Sequence, residues 1–272
     1  MGIVIDVDPT IVHLGPVALR WYGLLFALGI MSGAWLGLRE ARRKGLHEAH
    51  LGALLTWGVL GGLAGARLFH VIDRWDTYAS DPLGVLAFSR GGLAVYGGLV
   101  GGSLAVLLYA WRHGLPVWRL ADAAAPGLIL GQAVGRLACI PNGDALGAPT
   151  DLPWAFVYTN PDSMVPAELL GVPTQPYVIY EIIFDLGLLA LLWRLRTVYS
   201  RDGLLFLTYA GAYSVGRFFL SYVRTERVWL WGLQEAQLVA ALTLAVALLA
   251  LLWRLKPREG WRISAANDPL GP

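Results

Sequence analysis

Arg136 and Arg217 each stand inside a long apolar stretch, where a charged side chain is costly unless it has a task. Arg217 is followed by Phe218, Phe219 and Leu220, so it does not close its stretch. Tyr213 lies four residues before Arg217, and Gln132 four before Arg136, each on the same face of a helix. At a rise of ~1.5 Å per residue, Arg20, Arg67, Tyr96 and Glu181 fall at a similar depth in four other stretches. For a lone arginine near a helix end the plain alternative is snorkelling to the headgroups, and it is the better reading of Arg20 or Arg67 taken singly. Six polar residues from six stretches converging on one slab point instead to a pocket. Two guanidiniums on different helices can clamp one phosphate through charge-assisted hydrogen bonds. If a reaction expelled a phosphate ester, the same clamp would stabilise charge growing on the leaving oxygen. At a membrane interface, an anionic lipid headgroup is the ligand class such a pocket takes.

The elements that must position these residues are seven apolar stretches, at about 17–38, 51–72, 92–112, 117–139, 177–194, 203–223 and 235–254. Each approaches the ~20 residues that cross the hydrocarbon core of a bilayer. Bases cluster in alternate connections: Arg39, Arg42, Arg43 and Lys44; Arg112 and Arg119; Arg194, Arg196 and Arg201; and Arg254, Lys256, Arg258 and Arg262. The longest connection, about 140–176, has no Lys or Arg. The positive-inside rule then predicts an outside N-terminus, an inside C-terminus and a pocket in the outer half of the bilayer. The expected fold is an all-α polytopic helix bundle of about seven spans, with a small extracytoplasmic segment between spans four and five. Residues 1–256 form one transmembrane domain, and 257–272 a cytoplasmic tail that reads as disordered. Glycines crowd spans two and three (Gly61, Gly62, Gly65, Gly97, Gly98, Gly101 and Gly102), and close helix packing is their plainest role.

Composition agrees with a membrane protein: 56% of the 272 residues are hydrophobic and 15% charged, against about 25% charged in soluble domains. The start, MGIVIDVDPTIVHLGP, has no basic segment followed by an apolar one, so no cleavable signal peptide is expected. The single cysteine, Cys139, leaves no internal disulfide. Its plain reading is a small packing residue. The histidines, His13, His47, His50, His70 and His113, are scattered, so no metal or cofactor is expected. The net charge of +2 says little, but 19 of the 21 bases are arginine. Arginine suits bidentate phosphate recognition, although an arginine-rich codon usage explains the count equally well.

Six segments resemble one family in its own order. They are GPVALRWYGLLFALG (15–29), GARL (65–68), RGGLAVYGGLVGG (90–102), GRLACIPNGDALG (135–147), QPYVIYE (175–181) and YSVGRFFLSYVR (213–224). On these the chain is similar to the prolipoprotein diacylglyceryl transferases over about 14–227. The resemblance implies a multi-pass enzyme of the bacterial plasma (inner) membrane acting in lipoprotein biosynthesis. Such an enzyme moves the diacylglyceryl group of phosphatidylglycerol onto the lipobox cysteine thiol of a prolipoprotein, forming a thioether and releasing glycerol 1-phosphate. The implied partners are phosphatidylglycerol, the lipobox-bearing signal peptide and membrane lipid, with no nucleic acid.

By position Arg136 and Arg217 match the family's two essential arginines. Tyr22, Arg67, Asn142, Asp144, Gly147, Glu181, Tyr213 and Arg224 match other motif positions and are expected to bind substrate. Asn142 and Asp144 would shape the pocket mouth, or equally form the turn beside Pro141 and Gly143. The chain departs from the family at Tyr96, where histidine is common and is often proposed as the base, and at Cys139, Asp144, Gln175 and Ser221. A tyrosine of pKa ~10 is a poor base at neutral pH unless cations lower it, whereas a thiol needs only a modest push. Tyr96 is therefore assigned to the catalytic set as an orienting group. Two other readings stay open here: a diverged relative that binds anionic lipid without the reaction, and a transporter. A transporter should show pseudo-symmetric repeats and midplane binding groups, and the sequence displays neither.

Overall fold

The computed structural model describes residues 2–15, 17–80, 84–85, 92, 94–225 and 228–255. The end of the transmembrane domain at 256 and the tail 257–272 lie outside the described residues, as does Arg90.

The apolar stretches are helices. In chain order they are α1 (Trp21–Arg43), α2 (Glu48–Asp73), the short α3 (Trp75–Ser80), α4 (Val95–Arg112), α5 (Val117–Arg136), the one-turn α6 (Cys139–Asn142), α7 (Tyr177–Leu195), α8 (Leu204–Leu220) and α9 (Glu235–Leu255). Among the described residues, four helical segments are long and apolar enough to cross a membrane: Trp21–Arg43, Glu48–Asp73, Val117–Asn142 and Glu235–Leu255. Helix α7 carries Glu181, Asp185 and Arg194 within its 19 residues, the two acids toward its start and the arginine in its last turn.

Helix all through was too simple an expectation. β-Branched residues at the start of the chain favour extended structure, and three short strands precede α1: β1 (Ile3–Ile5), β2 (Thr10–Leu14) and β3 (Val17–Arg20). β2 and β3 form an antiparallel hairpin, so the first apolar stretch begins as a strand and turns helical only at Trp21. β1 runs parallel to β4 (Phe156–Tyr158), which pairs antiparallel with β5 (Pro173–Thr174). The long connection thus folds into a cap stitched to the N-terminus. A second hairpin, β6 (Val228–Leu230) and β7 (Leu233–Gln234), joins α8 to α9. Its turn places Trp231 and Gly232 at φ 51° and 76°, the left-handed pair that matches the twist of a two-residue hairpin loop. Among the described residues the strands lie in alternate connections, at one end of the bundle.

Glycine sets the closest helix contacts. α1 lies against α5, and α2 against α4. A Cβ on Gly29 would stand 2.7 Å from the carbonyl oxygen of Gly131, and one on Gly61 would stand 2.7 Å from that of Gly101. Small residues one turn apart let the backbones touch, which is how helices associate where no water drives them together.

The opposite end is tied by ions. Glu40, 1% exposed, pairs with Arg43 at 2.7 Å and with Arg196. Lys44 pairs with Asp122 at 3.0 Å, and Arg119 with Asp202 at 3.0 Å. Asp122 also accepts the backbone N–H groups of Gly203 and Phe206, both at 2.9 Å, and so caps α8 from α5. Several of the bases read from sequence as orientation signals therefore also fasten helix ends to one another.

Candidate active site

α5 and α7 face each other through two polar rungs one helical turn apart. On the inner rung Gln132 Nε2 donates to Asp185 Oδ1 at 3.4 Å; on the outer, Arg136 Nη2 stands 2.8 Å from Glu181 Oε1. The pairing of 132 with 185 and 136 with 181 follows from antiparallel helices that both repeat every four residues. α8 adds Arg217, whose Nη1 lies 3.8 Å from the same Glu181 oxygen and also donates to the Tyr177 hydroxyl. One buried carboxylate therefore faces two arginines from different helices.

Accessibility is divided unevenly in this group. The Glu181 side chain is 1% exposed, whereas those of Arg136 and Arg217 are 23% and 14% exposed. Among the described residues neither Glu181 oxygen has a hydrogen bond of good geometry, so its hold on the arginines is ionic. Both guanidiniums keep some exposure that the carboxylate lacks, so an anion reaching this place would meet the arginines before Glu181.

Around this pair the connections close in. Arg224, beyond the end of α8, places its guanidinium carbon 5.4 Å from the centre of the Tyr177 ring. Its backbone bridges to Gly147. Gly147 has to be glycine at that spot, because a Cβ would meet the Gln175 carbonyl oxygen at 2.6 Å. Tyr22, in the first turn of α1, packs on a buried cluster of Cys139, Ala145, Tyr177 and Val178. The Cys139 thiol donates to Asp144 Oδ2 at 3.8 Å, while Asp144 Oδ1 is buried with no partner among the described residues. Asn142 is 5% exposed and donates to the Met164 sulfur at 3.2 Å, and its carbonyl accepts from the Met164 N–H at 2.8 Å. Gly143 follows at φ 72°. Asn142 is thus held within the turn, and Asp144 lines its inner side. Burial pushes the Tyr158 phenol below this turn above its ordinary pKa, and the Asp144 carboxylate adds to the effect, so the hydroxyl keeps its proton. Tyr213 stacks on Tyr209, with ring centres 6.0 Å apart.

Three of the six residues read at one depth are not among these contacts. Arg67 is 4% exposed and its guanidinium is taken up by the carbonyls of Gly84, Val85 and Gly92, at 2.6, 2.8 and 3.0 Å. It thereby ties these three residues, which follow α3, to α2. Tyr96 lies in the first turn of α4 and is 57% exposed. Arg20 caps the start of α1 and is exposed. Of the six residues read at one depth, Arg136, Glu181 and Arg217 meet. Tyr177 and Asp185, both fully buried, were not singled out from the sequence. The signal for them was their spacing, since each lies four residues from Glu181 on α7.

Comparison with known proteins bears on this arrangement. The family described as prolipoprotein diacylglyceryl transferase matches residues 9–253. A phosphatidylglycerol–prolipoprotein diacylglyceryl transferase of Synechococcus elongatus is 36% identical over 254 residues, covering 90% of this chain and 86% of the relative. The protein of the same name from Thermosynechococcus vestitus is 36% identical over 256 residues, covering 92% and 95%. That of Geobacillus kaustophilus is 37% identical over 263 residues, covering 96% and 97%.

Proposed function

The chain belongs to the prolipoprotein diacylglyceryl transferase family, and from that premise we propose that it transfers the diacylglyceryl group of phosphatidylglycerol to the lipobox cysteine of a prolipoprotein, the first step of lipoprotein maturation. The observation that carries the reading is the pair of accessible arginines, Arg136 and Arg217, set on two helices around one buried carboxylate. In the reaction the peptide sulfur attacks the glycerol carbon that carries the phosphodiester oxygen. The S–C bond forms as the C–O bond breaks, and the electron pair leaves on the phosphate oxygen of glycerol 1-phosphate. The thiol gives up its proton to water or to the released phosphate, which balances the charge. Arg136 and Arg217 hold the phosphate, and the charge that grows on the leaving oxygen strengthens their hydrogen bonds most in the transition state. Tyr22, Asn142, Asp144, Gly147, Tyr213 and Arg224 shape the pocket around them, and Arg67 supports it from the residues that it ties to α2. Incubating the purified protein with phosphatidylglycerol and a lipobox peptide should add one diacylglyceryl group to the peptide cysteine by mass spectrometry. A peptide of unchanged mass, under conditions where the lipid binds, would leave lipid binding without transfer.

The topology that suits this chemistry has seven spans, α1, α2, α4, α5, α7, α8 and α9, in the plasma membrane. The N-terminus and the connection 140–176 lie outside and the C-terminus inside. The distribution of arginine supports it, and so does the placing of the described strands at the other end. A cysteine introduced at Thr150 should react with an impermeant maleimide in intact cells. Reaction only after the membrane is opened reverses the assignment.

Tyr96 serves in this proposal as an orienting group rather than an obligatory base, and its 57% exposure agrees with that. Tyr96→Phe is expected to slow turnover about tenfold or less, the worth of a hydrogen bond of ~0.5–1.5 kcal/mol, and Tyr96→His to stay active. Initial rates against pH decide the matter. A loss beyond about a hundredfold, with the alkaline limb gone, makes the tyrosine the base.

A further inference from the structure

Tyr177 is the first residue of α7 and is fully buried, yet three features of the site meet on it. Its hydroxyl oxygen accepts a hydrogen bond from Arg217 Nη1. Its ring lies 5.9 Å from the Arg217 guanidinium carbon and 5.4 Å from that of Arg224. One turn later on the same face stands Glu181, the carboxylate shared by Arg136 and Arg217. We infer that Tyr177 is a positioning residue that fixes Arg217 through its hydroxyl and Arg224 through its ring, so that both guanidiniums are aimed at the lipid phosphate before it arrives. This rests on the transferase reading of the site.

The physical case begins with the arginines. Each guanidinium swings on a long side chain that carries about 2 kcal/mol of rotamer entropy. An arginine ordered only when the lipid binds loses part of its grip to that ordering. Tyr177 has two side-chain torsions and is itself immobilised. Its backbone N–H bonds to the Gln175 carbonyl at 2.8 Å, and its ring is walled by Cys139, Ala145 and Val178. The backbones of the arginines are fixed as well. Arg224 bridges to Gly147, and its carbonyl accepts from Gln234 Nε2 at 3.0 Å. A rigid aromatic between two tethered arginines therefore completes their orientation.

Tyr177 also does something Glu181 cannot. A carboxylate orients an arginine but cancels its charge, whereas a phenol oxygen and a ring face orient it and leave the charge for the substrate. Arg217 is 3.8 Å from Glu181 and bonded to Tyr177, so part of its restraint is neutral. Arg136 is the reverse, in ionic contact with Glu181 at 2.8 Å. The two arginines are thereby made unequal. Arg217 keeps more of its field for the leaving oxygen.

The hydroxyl and ring are separable by substitution. Tyr177→Phe removes the acceptor for Arg217 and keeps the ring. It should lower kcat about ten- to a hundredfold and leave the KM for phosphatidylglycerol within about threefold. Tyr177→Leu also removes the ring and should raise that KM about tenfold. Rates are normalised to folded protein from size-exclusion and thermal-melt profiles. In parallel, phosphatidylglycerol binding to wild type and both variants is read by native mass spectrometry, with phosphatidylcholine as control. A wild-type kcat in Tyr177→Phe overturns the inference. So do losses in both variants that vanish on normalisation, which would mean packing alone. If wild type binds phosphatidylglycerol but never modifies the peptide, the transferase reading fails. The positioning role is then judged by binding, and Tyr177→Leu holding the lipid as tightly as wild type rejects it.

Discussion

Arg217→Ala is expected to cut turnover at least about a hundredfold, the loss typical when one donor to a developing anion is removed. Arg217 is suited to that task because its nearest restraint is the neutral Tyr177 oxygen, and its side chain stays 14% exposed. Lysine should rescue poorly: an ammonium cannot offer two parallel N–H groups in the fixed fork of a guanidinium. Arg136→Ala should be as damaging to turnover and should differ in one respect. It leaves Glu181, 1% exposed, with Arg217 at 3.8 Å as its remaining ionic partner. Breaking a buried pair from one side costs up to about 3–5 kcal/mol, and partial exposure of Arg136 lowers that figure. Arg136→Ala should therefore melt at a lower temperature than Arg217→Ala while both lose activity. Initial rates with saturating peptide, beside thermal melts in the same detergent, test the pair. More than half of wild-type turnover in Arg217→Ala would remove the phosphate from this place.

Why Arg136, Arg217 and Glu181 meet while Arg67 and Tyr96, read at the same depth, do not join their contacts is a matter of geometry. Counting residues along a span gives height, because each contributes a fixed rise. It does not give azimuth, the side of the bundle to which a residue turns. Arg67 and Tyr96 belong to α2 and α4, which pack chiefly on each other. Arg67 reaches the carbonyls of Gly84, Val85 and Gly92, in a connection with no periodic signal to announce a partner. The long helices were legible for the opposite reason, since each apolar stretch states its own length. The cap was not. β1 finds its partner in β4 about 150 residues away, and a strand of three residues leaves no alternation to read. Tyr177 was hidden by its type: an aromatic at the head of an apolar helix reads as core, and only the arginines arriving from α8 and the segment after it give it another role. At the far end, Glu40, Asp122 and Asp202 read as incidental acids until the folded chain sets them against Arg196, Lys44 and Arg119.

Glu181→Gln is expected to bind phosphatidylglycerol more tightly and to turn over more slowly. In the wild type this carboxylate opposes any anion that approaches Arg136 and Arg217. A unit charge ~8 Å away at an effective dielectric of ~20 contributes about 2 kcal/mol. Neutralising it would tighten the phosphodiester, which carries one negative charge, by up to about thirtyfold, before solvent screening through the exposed faces of the arginines reduces the gain. The product glycerol 1-phosphate carries close to two negative charges, so it gains up to twice that free energy. Uniformly stronger binding lowers KM without helping the chemical step, and a product that gains more than the substrate leaves later. Glu181 on this argument is a counterweight that keeps the clamp from becoming a trap. The glutamine is close in shape, which separates loss of charge from loss of packing. The measurement is product inhibition. The Ki of glycerol 1-phosphate should fall in Glu181→Gln by a larger factor than the KM of phosphatidylglycerol, and kcat should fall with it. High salt should narrow the difference, since it screens the accessible side of the site. A Ki at or above the wild-type value in a folded variant would mean that Glu181 serves to orient Arg136 alone, and then turnover should fall without any tightening of either anion.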